Sequence, residues 1–272
     1  MTAPRDIVRI AAIGDLHYGK SSPQGTLQPL LAQITDAADI LVIAGDLTDY
    51  GHPDEARALA RELTATLKIP AVAVLCNHDY ESNQQEAIKT ILKDAGVVVL
   101  DGDTTEVHGV GFAGIKGFAG GFGRRALGPW GEEIMKTFVH EAVQEALKLE
   151  TALARLRNSR LVAVLHYSPI EDTVQGEPRE IYPFLGCSRL EEPLTRYPVS
   201  AVFHGHAHHG QAEGRTRTGA PVYNVSITLM RDMSPDRPFR LVEIDMRSTE
   251  ESANRRSGAD RRAHERTQAG VS

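Results

Sequence analysis

Five short segments of the chain place oxygen or imidazole side chains where they could bind metal ions. Carboxylate, amide and imidazole ligands without a thiolate suit Zn, Fe, Mn, Co or Ni. The pairs Asp15 and His17, and His206 and His208, are each two residues apart, so both members of a pair could reach one ion from one turn. The candidates are too many for one ion and fit two ions that share a bridging carboxylate. The segments are Gly14-Asp15-Leu16-His17, Gly45-Asp46, Asn77-His78-Asp79, His166 and Gly205-His206-Ala207-His208.

The elements that must position these residues are buried strands. Each segment follows an apolar run, which is typical of a parallel strand covered on both faces. Neighbouring strands lie about 4.8 Å apart, so side chains at their carboxyl ends can share a cation. Open α/β sheets bind ligands at that edge. The five runs are 7–13, 40–44, 71–75, 161–165 and 199–203.

Helical patterns alternate with the strands through the first hundred residues. This order favours a parallel sheet with right-handed crossover connections. After His206 the pattern becomes antiparallel in character, with closing strands at 221–227 and 239–245. The predicted helices of the first half are 27–38, 53–67 and 84–95, and a short strand follows at 97–100.

The middle of the chain, residues 109–131, is rich in glycine and aromatic residues. It predicts a strand near 110–113 and then a long loop, because so many glycines disfavour a regular element. Loops of this length are often lids or binding loops, and a flexible surface loop with a few packed aromatic residues is the alternative. A long helix is predicted at 132–157, with an apolar stripe of Ile134, Phe138, Ala142, Ala146 and Leu153.

Composition predicts a soluble protein without a strong preference for polyanions. Of its 272 residues, 41% are hydrophobic and 24% are charged, which is ordinary. The net charge of −6 gives no electrostatic basis for non-specific binding to nucleic acid or membranes. Two cysteines exclude a disulfide framework and suit a reducing cytosol. No run approaches the roughly 18 apolar residues of a membrane-spanning helix, and residues 1–9 lack the apolar core of a signal peptide.

We therefore expect a cytoplasmic protein with one large domain and a short appendage. The domain is predicted at 1–246. Residues 247–272 are dominated by Arg, Glu, Ser and Gly and predict a disordered tail.

The ordered set Asp-x-His, Gly-Asp, Asn-His-Asp, His and Gly-His-x-His resembles the calcineurin-like metallophosphoesterase superfamily. Among its members, the chain is most similar to the small bacterial phosphodiesterases of the class III cyclic-nucleotide type. The resemblance implies an α/β fold, a four-layer α/β/β/α sandwich with a dinuclear metal site at the carboxyl ends of the strands. It implies two divalent or trivalent transition-metal ions (Mn, Fe, Zn, Co or Ni).

The resemblance also implies a role for each motif residue. His78 resembles the family's histidine near the leaving group, and Asp79 would orient it. Asp46 would bridge the two ions. One ion would be held by Asp15, His17, Asp46 and His208, and the other by Asp46, Asn77, His166 and His206.

The chain departs from the family pattern at Cys76, where a glycine usually precedes Asn-His. Two interpretations of Cys76 stay open: a packed, inert thiol, or a thiol that faces the site and is sensitive to oxidation or soft metals. The second motif also lacks the arginine of Ser/Thr protein phosphatases. Asp49 stands where purple acid phosphatases have a metal-binding tyrosine.

Four residues outside the motifs are candidates for substrate binding. Tyr18 could stack on a base or pack under the loop, and His52 could line the pocket. Lys116 and Arg124 could hold a phosphate or nucleotide group, since arginine offers a bidentate fork for phosphate, or they could be ordinary solvated charges.

These features favour a metal-dependent phosphohydrolase, and in particular a phosphodiesterase on a small or nucleotide substrate. A hydroxide that bridges the metals would attack phosphorus in line, and His78 would protonate the leaving group. The alternatives are a phosphomonoesterase, a nuclease, and a non-catalytic metal-binding scaffold. The acidic charge disfavours the nuclease, and the complete set of ligand positions disfavours the scaffold. None of these sequence features bears on the oligomeric state.

Overall fold

The structure is a computed structural model that describes residues 6–19 and 22–247. Two β-sheets are stacked face to face in it. The strands of the first sheet are β1 (Ile7–Ile13), β2 (Ile40–Ala44), β3 (Ala71–Val74), β4 (Val97–Leu100) and, late in the chain, β11 (Arg240–Asp245). The strands of the second sheet are β5 (Asp103–Val107), β6 (Val110–Gly114), β7 (Leu161–Val164), β8 (Val199–His204), β9 (Glu213–Arg215) and β10 (Pro221–Asn224).

Helices cover the outer faces of both sheets. In chain order they are α1 (Gln28–Ala37), α2 (Pro53–Thr66), α3 (Asn77–Tyr80), α4 (Gln85–Asp94), α5 (Glu133–Arg155), α6 (Tyr182–Leu185), α7 (Glu191–Arg196) and α8 (Ile227–Met233). None of the helices in the described part of the chain is long and apolar enough to cross a membrane.

Three apolar layers hold the sheets and helices together. The middle layer lies between the sheets, where Ile10 and Val42 of the first sheet meet Phe112 and Phe203 of the second. A second layer joins the first sheet to α1, α2 and α4, and a third joins the second sheet to α5 and α7. The predicted four-layer α/β/β/α sandwich is therefore confirmed.

The strand orders bring the predicted ligands to one edge. In the first sheet the order is β11-β1-β2-β3-β4, with β1 to β4 parallel and β11 antiparallel to β1. In the second sheet the order is β5-β6-β7-β8-β10-β9, with β6, β7, β8 and β10 parallel. Gly14 joins the two sheets beside the site, because its amide donates to the Val225 carbonyl at 2.8 Å.

The structure differs from the sequence-based expectations in the last third of the chain. The expected antiparallel character holds for β11 and for the β9–β10 pair, but β10 runs parallel to β8. Ile227 begins α8 instead of ending a strand. The strand β9 and, earlier in the chain, the strand β5 were not predicted, because their residues are at least partly exposed and carry no apolar run.

The predicted stripe of the long helix is also partly wrong. Ile134 is 75% exposed, because the residues of α5 that the second sheet covers begin only at Val139. Of the predicted tail, residues 248–272 lie outside the described residues, and the domain boundary at 246 stays a prediction.

Candidate metal centre

Four predicted ligands share an uncommon backbone conformation. The left-handed region costs a non-glycine residue about 1–2 kcal/mol, and Asp, Asn and His are the side chains that enter it most often. Only six described non-glycine residues have it, and the four that are predicted ligands are Asp15 (φ 58°), His17 (φ 42°), Asp46 (φ 48°) and His206 (φ 71°). Such strain is concentrated at functional sites, where it aims side chains.

The glycines of two motifs are required by close packing at this edge. A Cβ on Gly45 would overlap the His166 ring, and Gly45 also has a positive φ of 84°. A Cβ on Gly205 would lie 2.5 Å from the Asp15 carboxylate. Glycine therefore precedes Asp46 and His206 because the ligands of one sheet approach the backbone of the other.

The first group of potential ligands contains Asp15, His17 and His208, whose ligand atoms all lie within 4.8 Å of one another. His208 Nε2 is 3.0 Å from Asp15 Oδ1. The amide of His206 donates to both Asp15 oxygens, at 3.0 and 3.1 Å. The loop after β8 is thus fixed against the loop after β1.

The second group contains Asp46, Cys76 and His166, again with all ligand atoms within 4.8 Å of one another. His166 Nε2 lies 3.2 Å from Asp46 Oδ2. The His206 ring is 4.8 Å from the His166 ring, and Asn77 Oδ1 accepts a hydrogen bond from the Cys76 thiol at 3.3 Å. Every residue that the sequence placed around the second ion is therefore in this region.

The two groups adjoin each other, since His166 Nε2 is 3.9 Å from Asp15 Oδ1. Burial alone would raise the pKa of Asp46, but the His166 imidazole beside it holds that pKa below its ordinary value. Burial lowers the pKa of His206 to about 4, which keeps its imidazole neutral, as a metal ligand must be.

Two buried nitrogens indicate that this donor set fits metal ions. His17 Nε2 and His166 Nε2 are both buried without a hydrogen-bond partner, which is rare and costly for a polar atom. His166 Nδ1 lies 2.7 Å from the Ala44 carbonyl. Nδ1 therefore carries the proton in the neutral ring, so the lone pair is on Nε2, which points into the site.

His78 stands beside the first group. Its ring is edge-on to the His17 ring at 4.4 Å between centroids. Its Nδ1 lies 2.6 Å from the Asp49 carbonyl, so that carbonyl orients the imidazole. The direct contact of the ring is thus with Asp49, and the orienting role of Asp79 stays a prediction.

Asp79 instead ties two loops together. Its carboxylate accepts hydrogen bonds from the Cys76 amide at 2.9 Å, and from the Thr48 amide and hydroxyl at 2.8 and 2.7 Å. Burial, with the Asp46 charge second, raises the pKa of Asp79 to about 6. Asp79 thus holds the start of α3 against the loop that carries Asp46.

Two of the four substrate-binding candidates, Tyr18 and His52, make hydrogen bonds within their own surroundings. Tyr18 is only 3% exposed, and its hydroxyl donates to the buried Glu62 at 3.4 Å, so it packs under its loop. His52 is the residue before α2, and its amide donates to Glu55 at 3.2 Å. These contacts favour the second of the two interpretations of Tyr18, and a role of either residue in substrate binding stays a prediction.

The two basic candidates have different surroundings. Lys116 Nζ lies 2.7 Å from Glu141 and 3.3 Å from Glu145, so its charge is compensated within the protein. Arg124 is exposed in a single turn of 3-10 helix, Gly123–Arg125. Its role in holding a phosphate stays a prediction.

The Gly-rich segment is packed against the site in its first half. The Gly117 amide donates to the buried Glu145 at 2.9 Å. Phe122 packs with Val174, Leu185 and Ala207, and Ala207 lies between the predicted ligands His206 and His208. Trp130, near the end of the segment, is 66% exposed. The aromatic residues of this segment are therefore packed as far as Phe122, as one of the two interpretations expects, whereas Trp130 is not.

Sequence reasoning missed Tyr167 and Asn224. The Tyr167 ring packs on the His206 ring at 4.6 Å, and its position next to His166 was the one signal available. The Asn224 amide donates to the Ala207 carbonyl at 2.7 Å and so fixes the Gly-His-x-His loop. Nothing in the sequence marks Asn224, because its partner is distant along the chain.

A cleft of about 560 Å³ opens beside the second group. Asn77 is part of its lining, and aromatic rings form much of its wall. The ring centroids of Tyr167 and Phe118 are 5.9 Å apart, and those of Phe118 and Phe138 are 4.9 Å apart. The exposed Ile134 lies at the outer end. The cleft is therefore largely apolar and is continuous with the predicted metal ligands.

The family model of the calcineurin-like phosphoesterases matches residues 8–210, most of the chain. The chain therefore belongs to the calcineurin-like phosphoesterase family, and it is a metallophosphoesterase that hydrolyses phosphoesters. The family uses divalent metal ions, in agreement with the donor set described above. No curated protein matches the chain.

Solved structures of other proteins share the fold. One is the phosphopantetheinyl hydrolase of Mycobacterium tuberculosis, with 16% identity, a TM-score of 0.61, and coverage of 86% of this chain and 95% of the hydrolase. Another is the protein TT1561 of Thermus thermophilus, with 14% identity, a TM-score of 0.50, and coverage of 89% of this chain and all of that protein. At these identities the likeness shows the fold alone.

Proposed function

We propose that the protein is a metal-dependent phosphodiesterase that acts on a small or nucleotide diester. The observation that carries the choice of a diester is the aromatic cleft that begins at Asn77. A monoester has one substituent on phosphorus, whereas a diester has two and needs room for both. The volume of the cleft, about 560 Å³, is within the usual range of small-molecule sites.

The lining of the cleft supports an uncharged, planar or apolar substituent. Lys116 is compensated by Glu141 and Glu145, so no free cation in the lining attracts a second phosphate group. The rings of Phe118 and Tyr167 could stack on an aromatic group such as a base. This composition agrees with a nucleotide or aryl diester.

The ligand assignment of the sequence analysis is also part of the proposal. Asp15, His17, Asp46 and His208 would hold one ion, and Asp46, Asn77, His166 and His206 the other. When bound, two such ions would lower the pKa of a coordinated water molecule and would neutralise charge on the phosphoryl oxygens. The protein aligns the phosphorus by holding both halves of the site rigidly, and no side chain is needed as nucleophile.

His78 is the proposed general acid. Because Nδ1 donates to the Asp49 carbonyl, Nε2 of the imidazolium carries the proton that can pass to the leaving oxygen. The Asp49 carbonyl keeps the ring at one orientation during this transfer. Direct attack predicts inversion at phosphorus, and retention in a chiral thiophosphate diester would contradict it.

A substrate screen tests the diesterase proposal. The Mn-loaded protein is assayed on bis-p-nitrophenyl phosphate, p-nitrophenyl phosphate, 3′,5′- and 2′,3′-cyclic nucleotides, a phosphopantetheinyl ester and single-stranded DNA, with metal analysis of the untreated protein. We expect the highest kcat/KM on a diester. A preference for p-nitrophenyl phosphate would identify a monoesterase, and cleavage of single-stranded DNA at moderate salt would identify a nuclease.

The role of the cleft is tested by truncating its aromatic wall. Phe118→Ala should raise the KM for an aryl diester roughly tenfold, the effect of losing about 1.4 kcal/mol of contact, with little change in metal content. Trp130→Ala, in the same segment but exposed and not in the lining, is the control. Equal KM values for both variants would show that the diester does not occupy the cleft.

A further inference from the structure

Cys76 is buried next to the predicted ligands of one metal ion. It follows β3 and precedes Asn77, and its side chain is fully buried. Its sulfur lies within 4.8 Å of ligand atoms of both Asp46 and His166. Its backbone is extended, with φ −150°, so the side chain is held there without backbone strain.

A second observation points to a ligand at the same place. His166 Nε2 is fully buried and has no hydrogen-bond partner, and Nδ1 is held by the Ala44 carbonyl, so the lone pair faces this group. Asn77 Oδ1 lies 3.3 Å from the Cys76 sulfur. Nitrogen, oxygen and sulfur donors from three strand ends therefore converge on one buried point.

We propose that Cys76 is a ligand of the metal ion that Asp46, Asn77 and His166 hold, and that its sulfur makes this position prefer zinc over manganese. The inference rests on the metal centre proposed above. Thiolates are soft ligands that select zinc over the harder manganese ion. A glycine at this position would leave only nitrogen and oxygen donors there.

The binding step exchanges a proton for a metal–sulfur bond. The S–H bond of Cys76 breaks, the sulfur lone pair binds the cation, and the proton passes to the buffer. The negative charge of the thiolate is compensated by the cation, since the nearby Asp46 carboxylate could only oppose it. Zinc binding should therefore release one proton more from the native protein than from Cys76→Ala.

The chain offers a matched control. Cys187 is also fully buried and also a free thiol, but it belongs to none of the potential ligand groups found in the described residues. Cys76→Gly, Cys76→Ala and Cys187→Ala are therefore compared with the native protein. Circular dichroism and thermal unfolding establish that each variant is folded.

The decisive readout is the absorption spectrum of the cobalt-loaded proteins. We expect a thiolate-to-cobalt charge-transfer band in the near ultraviolet for the native protein and for Cys187→Ala, and no band for either Cys76 variant. Zinc affinity, measured by competition with a chelator, should fall about tenfold or more in Cys76→Gly and Cys76→Ala, while manganese affinity should change little. Loss of a residue that only contacts the metal ligands can itself lower metal affinity about 10- to 100-fold. A fall in zinc affinity alone would therefore not prove that Cys76 binds the metal, whereas the charge-transfer band reports direct binding by the sulfur.

The inference would be overturned if Cys76→Gly showed the same band as the native protein. It would also be overturned if the native protein lacked the band at full cobalt loading. These measurements do not depend on turnover. A protein that shows the band and hydrolyses no phosphodiester would contradict the proposed function while leaving Cys76 as a ligand.

Discussion

At the scale of single residues, His78 is separable from the metal ligands. Its ring nitrogen is held by the Asp49 carbonyl, while none of the bonds that position Asp15, Asp46 or His166 passes through its side chain. Binding of metal and transfer of the proton are therefore assigned to different side chains.

His78→Ala should lower kcat by roughly 10²- to 10⁴-fold, the usual contribution of a general acid, with metal content unchanged. The variant is compared with His140→Ala, on the exposed side of α5, which should keep the native rate. Steady-state kinetics with metal analysis of the same samples provides the measurement. A rate near that of the native protein would remove His78 from the mechanism.

Gly45 is a second residue whose effect can be isolated. Gly45→Ala places a Cβ in the His166 ring and adds the cost of a positive φ, so both stability and metal content should fall. Gly96 has a similar φ of 86° but nothing within 4 Å of its Cβ position, so Gly96→Ala reports the backbone cost alone, about 1–2 kcal/mol. Denaturant unfolding gives the loss of unfolding free energy in each variant, and the difference between the two losses is the cost of the contact with His166. If their losses of unfolding free energy were equal, close packing against His166 would not explain Gly45.

At the scale of elements, α3 is positioned by the Asp79 carboxylate rather than by its own length. A single turn of helix has little stability by itself. Asp79→Ala should leave the buried Cys76 and Thr48 amides unpaired at a cost of about 1–3 kcal/mol for each. The exposed Asp94→Ala on α4 is the control and should change stability by less than about 0.5 kcal/mol.

Urea unfolding gives the unfolding free energy of Asp79→Ala and of Asp94→Ala. Metal analysis should show reduced metal content only in Asp79→Ala. Because α3 carries both Asn77 and His78, the first variant should lose metal and rate together, unlike His78→Ala. Native metal content in a destabilised Asp79→Ala protein would mean that Asp79 supports the fold without positioning the ligands.

Elements with strong apolar runs could be predicted from the sequence, and those without could not. The strands β2 and β7 are buried on both faces, so their residues are uniformly apolar and easily recognised. The strand β5 is half exposed and polar, and its pairing with β6 depends on tertiary contacts.

The same limit applies to the candidate site. Each predicted ligand follows a strand end, so its place could be read from the chain. The partners of Asp79 and Tyr18 could not, because Thr48 and Glu62 are selected by how distant segments pack. Local spacing specifies which residues reach the edge of a sheet, whereas packing decides which other residues they contact.

At the scale of the whole molecule, the potential ligands come from both sheets. Asp15 and Asp46 follow strands of the first sheet, and His166, His206 and His208 follow strands of the second. A bound ion therefore links the two halves of the sandwich in addition to the apolar layer between them.

Removal of metal by a chelator should lower the melting temperature as well as abolish activity. An ion at about 100 times its Kd stabilises the folded state by about 2.7 kcal/mol. In Asp46→Asn, which lacks the proposed bridging carboxylate, metal content should be reduced and the chelator should cause a smaller shift. Calorimetric scans with and without chelator test this, and an identical shift in both proteins would contradict the bridging role.

The position of β11 in the first sheet has a consequence for synthesis of the protein on the ribosome. Within the described residues, the outer edge of β1 pairs with β11, which lies more than two hundred residues later in the chain. At about 5–20 residues per second, translation of that interval takes on the order of ten seconds or more. During this time the nascent chain exposes an apolar strand edge of the kind that promotes aggregation, so early chaperone contact with residues 7–13 is expected.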